Sequence, residues 1–202
     1  WWSCEALDQL IYKITRIGLH ERFEAPFKLF KFLQHKFANM QSKKRSTQVT
    51  KHHYDLGNEL FELMLDKEMQ YTCAYWKDND TLDKAQENKM QLICDKLQLK
   101  PGMQVLDLGG GFGTLARYIA RKYKCKVVVY NISSEQVQYS QKICEGLPVT
   151  IVNADYRDAQ GIYDRVVAVG FCEHVGYKNF RAMMELAHRT LNNEGLFLIQ
   201  TI

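Results

Sequence analysis

The feature that most constrains this chain is a run of glycines at the end of a short apolar segment. Val105–Leu108 reads as a buried strand. It feeds straight into Asp107-Leu-Gly-Gly-Gly-Phe-Gly113, and residues 114–123 then read as a helix. Glycines at a strand-to-helix turn admit positive φ and let the backbone approach a bound molecule closely. The same grammar repeats downstream. Lys126–Tyr130 is β-branched, residues 134–145 are helical, and Val149–Val152 and Tyr163–Val169 are apolar runs. Residues 178–191 are helical, with Gly195 beyond their end, and Leu196–Ile202 forms a last strand. Strands alternating with helices predict a parallel sheet covered on both faces, and right-handed crossovers make it doubly wound. The expected fold class is therefore α/β, a Rossmann-like sheet of order 3-2-1-4-5. Such sheets bind ligands at the carboxyl ends of their strands, where the glycine run lies.

The residues upstream read differently. Leu7, Leu10, Ile11, Ile14 and Ile17 recur at helical spacing, and Phe27, Phe30, Phe32, Leu33 and Phe37 form a second apolar set. Lys43-Lys44-Arg45 is either a solvated helix end or a phosphate-facing patch. Residues 46–81 are irregular and aromatic, residues 82–99 return to helix, and Pro101-Gly102 marks a turn. The expected organisation is an N-terminal helical segment over 1–50, a capping region over 51–100 and a nucleotide-type core over 101–202. The chain opens at Trp1 and stops in an apolar strand, so further residues are expected at both ends.

Composition narrows the class. Hydrophobic residues make up 46% and charged residues 25%, which suits a soluble domain with a real core. A net charge of +4 suits an anionic membrane surface but falls short of a nucleic-acid binder. Cys4, Cys73, Cys94, Cys125, Cys144 and Cys172 form no CxxC pair, so no zinc or redox motif is expected, and scattered thiols suit a reducing cytosol.

A glycine turn alone is weak evidence. A phosphate loop would need Gly-Lys-Ser/Thr, and a dinucleotide loop G-x-G-x-x-G. Here Gly109, Gly111 and Gly113 read G-x-G-x-G, with Asp107 two residues ahead. That spacing resembles the first motif of class I S-adenosylmethionine (SAM) dependent methyltransferases. The second strand ends in Asn131, which can donate and accept toward a ribose. Tyr156 after the third strand suits either an adenine face or the core.

Three further segments carry a closer resemblance. They are His53-Tyr-Asp-Leu-Gly-Asn-Glu-Leu-Phe-Glu-Leu-Met-Leu65 with Gln70-Tyr-Thr-Cys-Ala-Tyr-Trp76, then Asn131-Ile-Ser-Ser-Glu-Gln136, then Gly170-Phe-Cys-Glu-His-Val-Gly-Tyr-Lys-Asn-Phe180. Together they resemble the cyclopropane-fatty-acid synthase family, which includes the mycolic acid cyclopropane synthases. The resemblance runs over essentially the whole chain. It implies the class I methyltransferase fold and methyl transfer from SAM to a cis double bond of an unsaturated phospholipid acyl chain, with bicarbonate as the base. It implies cofactor contacts from Tyr71 and Thr72, from Asp107, Gly109, Gly110, Gly111 and Gly113, from Asn131, Ile132 and Gln136, and from Tyr156 and Arg157. For the bicarbonate it implies Cys73, Glu173, Gln200 and Ile202. It implies a cytoplasmic enzyme at the inner face of the membrane. The oligomeric state stays open, with a homodimer among the options.

Chemistry fits those residue types. An alkene is a weak nucleophile, and methyl transfer to it leaves a cation that aromatic and carboxylate groups stabilise. Glu173 could hold the base or steady the cation. Tyr71, Tyr75 and Trp76 could face that cation or fill a core. Cys73 as a nucleophile has no role in SAM chemistry. His174 is either a general base or a hydrogen-bonded structural residue beside Glu173, the second reading being favoured. The family commonly has Cys at Gly110, Trp at Phe112, Thr at Asn131 and His at Gln200. Gln200 can hydrogen-bond an anion but cannot titrate, and a family tyrosine further along has no counterpart. Two other readings are a related methyltransferase acting on a fatty-acid carbon or an amine, and a SAM-binding module without catalysis.

Overall fold

The computed structural model describes residues 6–17, 43 and 58–201. The chain divides into two compact units, Trp1–Met40 and Gln41–Ile202. In the first, α1 (Leu7–Arg16) follows the expected spacing. Asp8 in its first turn and Lys13 and Arg16 in its last complement the helix dipole. The aromatic set Phe27–Phe37 lies outside the described residues, as do Lys44 and Arg45.

The second unit holds the sheet. Its elements run α2 (Asn58–Met64), α3 (Leu82–Lys96), β1 (Gln104–Leu108), α4 (Thr114–Tyr123), β2 (Lys126–Asn131), α5 (Ser134–Ile143), β3 (Val149–Asn153), β4 (Tyr163–Val169), α6 (Cys172–Val175), α7 (Phe180–Thr190) and β5 (Leu191–Gln200). Short 3-10 turns occupy Tyr156–Asp158 and Tyr177–Asn179. The five strands are parallel in the order β3-β2-β1-β4-β5, as expected. The order reverses between β1 and β4, so the loops leaving these two strands part and open a crevice.

Period-two alternation sends successive residues to opposite faces. Val105, Val127, Val129 and Val167 pack with Met90 and Ile93 of α3, Leu97 at its C-terminal cap, and Ala116 and Ile119 of α4. Leu106, Leu108, Val166 and Ala168 pack on the other face with Val175 of α6 and Met183 and Leu186 of α7. Burying each such aliphatic side chain contributes roughly 1.5–3 kcal/mol. Thr81 caps α3 by accepting from Lys84 N, and Ser133 caps α5 by accepting from Gln136 N.

The structure differs from expectation in three places. Residues 58–64 and 172–175 are helical, where none was expected or the boundaries were later. The strand expected to begin at Leu196 begins at Leu191. Its first part pairs Leu191 with Tyr163, and the register shifts between Tyr163 and Arg165 before Leu196 pairs with Arg165.

Candidate active site

A cleft of about 780 Å³ opens at the carboxyl ends of the strands. Its walls come from the loop after β1, the end of β2, the turn after β3, the segment after β4, the end of β5, and the stretch from Met64 to Trp76 with α3 behind it. Tyr71, Thr72 and Cys73, then Asp107 and Gly109 to Gly111, then Asn131, Ile132 and Gln136 all line it. So do Tyr156, Arg157, Glu173, His174 and Gln200. Gly113 is not in the lining. It starts α4 at φ +81°, and a Cβ there would lie 2.8 Å from Ser140 Cβ. Its glycine identity therefore serves helix packing. Ile202 lies outside the described residues.

The glycine loop is held by contacts that need glycine. Gly109 sits at φ +74°, and a Cβ would meet the Phe171 ring at 2.2 Å. A Cβ on Gly110 would lie 2.5 Å from Val129 Cγ1 and 2.8 Å from Asp107 Oδ2. That explains why this chain carries Gly where the resemblance expects Cys. Gly111 is different, because a Cβ there would meet nothing within 4 Å. Phe112, in place of the expected Trp, is buried edge-on between Phe61 at 5.5 Å and Tyr139 at 5.4 Å. Phe61 in turn meets Tyr71 at 5.4 Å, so an aromatic chain links the loop to the cleft wall.

Asp107 is buried, and its Oδ2 has no hydrogen-bond partner. Burial alone pushes its carboxyl up from 3.8 to about 7. Asn131 has its donors engaged within the protein. Its Nδ2 donates to Gly111 O at 2.9 Å and Gln136 Oε1 at 3.0 Å, so both of its donor hydrogens brace the loop. Gln136 Nε2 has no hydrogen-bond partner among the described residues, and Gln136 lines the cleft. Arg157 pairs with the buried Asp155 at 3.2 Å and lies 5.0 Å over the Tyr156 ring. Tyr156 packs edge-on against Phe171 at 5.1 Å, so it belongs to core and cleft at once.

Segment 70–76 is tied to α3. Gln86 Nε2 donates to Gln70 O at 3.3 Å and Thr72 O at 2.9 Å, and Lys89 Nζ donates to Thr72 Oγ1 at 2.6 Å. Tyr75 N donates to Ala85 O at 3.1 Å. Neither Gln86 nor Lys89 was expected at the site. Tyr71, Tyr75 and Trp76 are all substantially exposed, which removes the core reading for them. Gln200 Nε2 donates to Cys73 Sγ at 3.0 Å, across 127 positions of sequence. Gln200 Oε1 is buried without a partner. His174 is exposed, and its side chain makes no hydrogen bond among the described residues, so the favoured structural reading is not what the ring does.

The sequence profile of the mycolic acid cyclopropane synthetase family matches residues 41–202. The chain belongs to the mycolic acid cyclopropane synthetase family. It is 50% identical over 203 residues to the cyclopropane-fatty-acyl-phospholipid synthase of Escherichia coli K12, covering all of this chain and 53% of that protein. The chain thus spans about half the length of that curated relative. The mycolic acid cyclopropane synthase CmaA1, solved with SAH and CTAB, superposes with a TM-score of 0.73 at 34% identity over 76% of this chain and 55% of that one. Coclaurine N-methyltransferase bound to N-methylheliamine and SAH shares the fold, with a TM-score of 0.67 at 24% identity over 96% of this chain and 62% of that one.

Proposed function

We propose that this chain binds SAM in the cleft and transfers its methyl group to a cis double bond in an unsaturated phospholipid acyl chain, giving a cyclopropane ring. The observation that carries the reading is the meeting of Cys73 and Gln200 at 3.0 Å in the cleft that also contains the glycine loop and Glu173. Two groups the resemblance assigns to the base site converge there from opposite ends of the core.

The residues fit the molecules implied. The open space at Gly111, the buried acceptor on Asp107 and the unused donor on Gln136 suit a cofactor with an amino-acid end and a ribose. The orphan Gln200 Oε1 and the neighbouring Cys73 thiol suit a small hydrogen-bonding anion such as bicarbonate. When bound, SAM supplies an activated methyl group, and bicarbonate supplies a base. Glu173 and the rings of Tyr71 and Trp76 line or rim the cleft where a carbocation in the acyl chain would form, and they favour positive charge there. Gln200 cannot take the proton itself, so its role is to position the base. Leu60, Leu63 and Met64 of α2 are exposed beside the lining residue Leu65. This supports delivery of the acyl chain from a membrane surface. No helix among the described residues is long and apolar enough to cross a membrane.

Gln200 also favours a second reading, transfer to an amine, because an amine brings its own lone pair and needs no bound base. The acceptor that gains the methyl group separates the two, and Glu173→Gln tests the lipid reading's use of that carboxylate. With vesicles of unsaturated phospholipid, the variant is expected to keep SAH affinity and lose the lipid product. Full lipid product from the variant would remove Glu173 from the mechanism.

A further inference from the structure

Lys89 is 4% exposed and lines the cleft. Its ammonium has three donor hydrogens. One goes to Thr72 Oγ1 at 2.6 Å. Lys89 forms no ion pair with a carboxylate among the described residues. Asp66 raises its pKa through space, while the Asp66 carboxylate accepts from Glu68 N at 3.1 Å and Gln70 N at 2.8 Å. Leaving a buried ammonium without a hydrogen-bonded counter-charge is costly. Burial accordingly lowers its pKa from 10.5 to about 8, against the raising influence of Asp66 and Cys73.

The surroundings are arranged for a negative ligand. Gln86 lies one turn before Lys89 on α3, and its two hydrogen bonds hold the Gln70–Thr72 segment against the lysine. Gln70 Nε2 is buried with no partner, which is a second unused donor in the cleft wall. The Thr72 oxygen accepts from Lys89, so its own hydrogen is left to donate. Arg157 is the other cation in the lining, and it is already paired with Asp155. Gln200 carries no charge.

We propose that Lys89, with the Thr72 hydroxyl and the Gln70 amide, forms an anion subsite that takes a carboxylate. This rests on the SAM reading for one of its two sources, the α-carboxylate of the cofactor. The other source of the same chemistry is free bicarbonate, since Cys73 follows Thr72 directly and accepts from Gln200 Nε2 at 3.0 Å in the same cleft. Lys89 is the positioning charge in either case, and it fixes the anion rather than reacting.

The test uses the full chain and two binding arms. In the first, SAH and its decarboxylated analogue are titrated calorimetrically into wild type, Lys89→Met and Thr72→Val. Wild type is expected to prefer SAH. Lys89→Met is expected to weaken SAH by about ten- to a hundredfold, leave the decarboxylated analogue unchanged, and so abolish the preference. Thr72→Val is expected to shift the preference the same way by less. In the second, the rate of Cys73 alkylation is followed with and without bicarbonate at constant ionic strength, in a Cys4→Ser background. Bicarbonate is expected to slow alkylation in wild type but not in Lys89→Met if the anion is free bicarbonate. A lost preference for SAH over its analogue, or a lost bicarbonate effect, supports the subsite and names its source. Unchanged values in both arms for both variants overturn it. Absence of SAH binding in wild type overturns the SAM reading instead, and the alkylation arm then decides this proposal alone. A merely structural Lys89 would lower SAH and its decarboxylated analogue equally.

Discussion

Gly109→Ala is the substitution whose cost the structure states most directly. The residue adopts φ +74°, and a Cβ would stand 2.2 Å from Phe171 Cδ2. Left-handed backbone costs an alanine roughly 1–2 kcal/mol. The Phe171 ring must also move, and it packs edge-on against Tyr156 at 5.1 Å and 83°. Losing that aromatic contact costs about 0.5–1.5 kcal/mol more. Together the loss is about 1.5–3.5 kcal/mol, or a Tm about 3–14 °C lower for a chain of this size. Gly102→Ala is the internal control. It has φ +87° but nothing within 4 Å of its Cβ, so it bears the backbone term alone. Thermal unfolding of the two variants beside wild type should show Gly109→Ala falling about twice as far as Gly102→Ala. Equal shifts would mean that Phe171 does not hold the loop, and the packing argument for this turn would fail.

Two other predictions concern titratable groups. The folded state raises the Asp107 pKa to about 7, so it holds that proton more tightly than the unfolded chain. The associated stability is complete below about pH 4 and is lost as pH rises through about 7. Urea unfolding at pH 5 and pH 8 should show wild type losing stability and Asp107→Asn changing much less; parallel losses would contradict the burial of an unpaired carboxyl. Among the described cysteines Cys73 is exposed, whereas Cys94, Cys125, Cys144 and Cys172 are buried with thiols pushed to higher pKa. In a Cys4→Ser background a thiol reagent should modify one cysteine under native conditions and none after Cys73→Ala. Labelling that survives Cys73→Ala would place a second thiol at the surface.

Much of the core was legible because local signals and tertiary demands agreed. The residues of β1, α4 and β4 carry apolar runs bounded by Gly109, Gly113 and Gly170, and the elements fall where that punctuation lies. What escaped notice depends on partners far away. The first half of β5 reads Leu-Asn-Asn-Glu-Gly, a turn composition, and becomes strand only by pairing with Tyr163. Helix α6 has four residues, too few to show periodicity, and ends at Gly176. Lys89 and Gln86 look like solvent-side positions of an amphipathic helix. They are buried because segment 70–73 folds over them. Asn131 reads as a ligand donor until the loop after β1 presents Gly111 O to it. The resemblance named the cleft-lining positions well. The hydrogen bonds that decide which of their atoms remain available could not be read from the chain.

The central claim is methyl transfer to a lipid double bond, and the lipid product tests it most directly. Protein incubated with methyl-labelled SAM and vesicles of a phospholipid with one cis double bond per chain should yield phospholipid heavier by one CH2, with label in the acyl chain and the olefinic signals gone. An acyl chain that stays unlabelled while SAM is turned over on an amine would contradict the account.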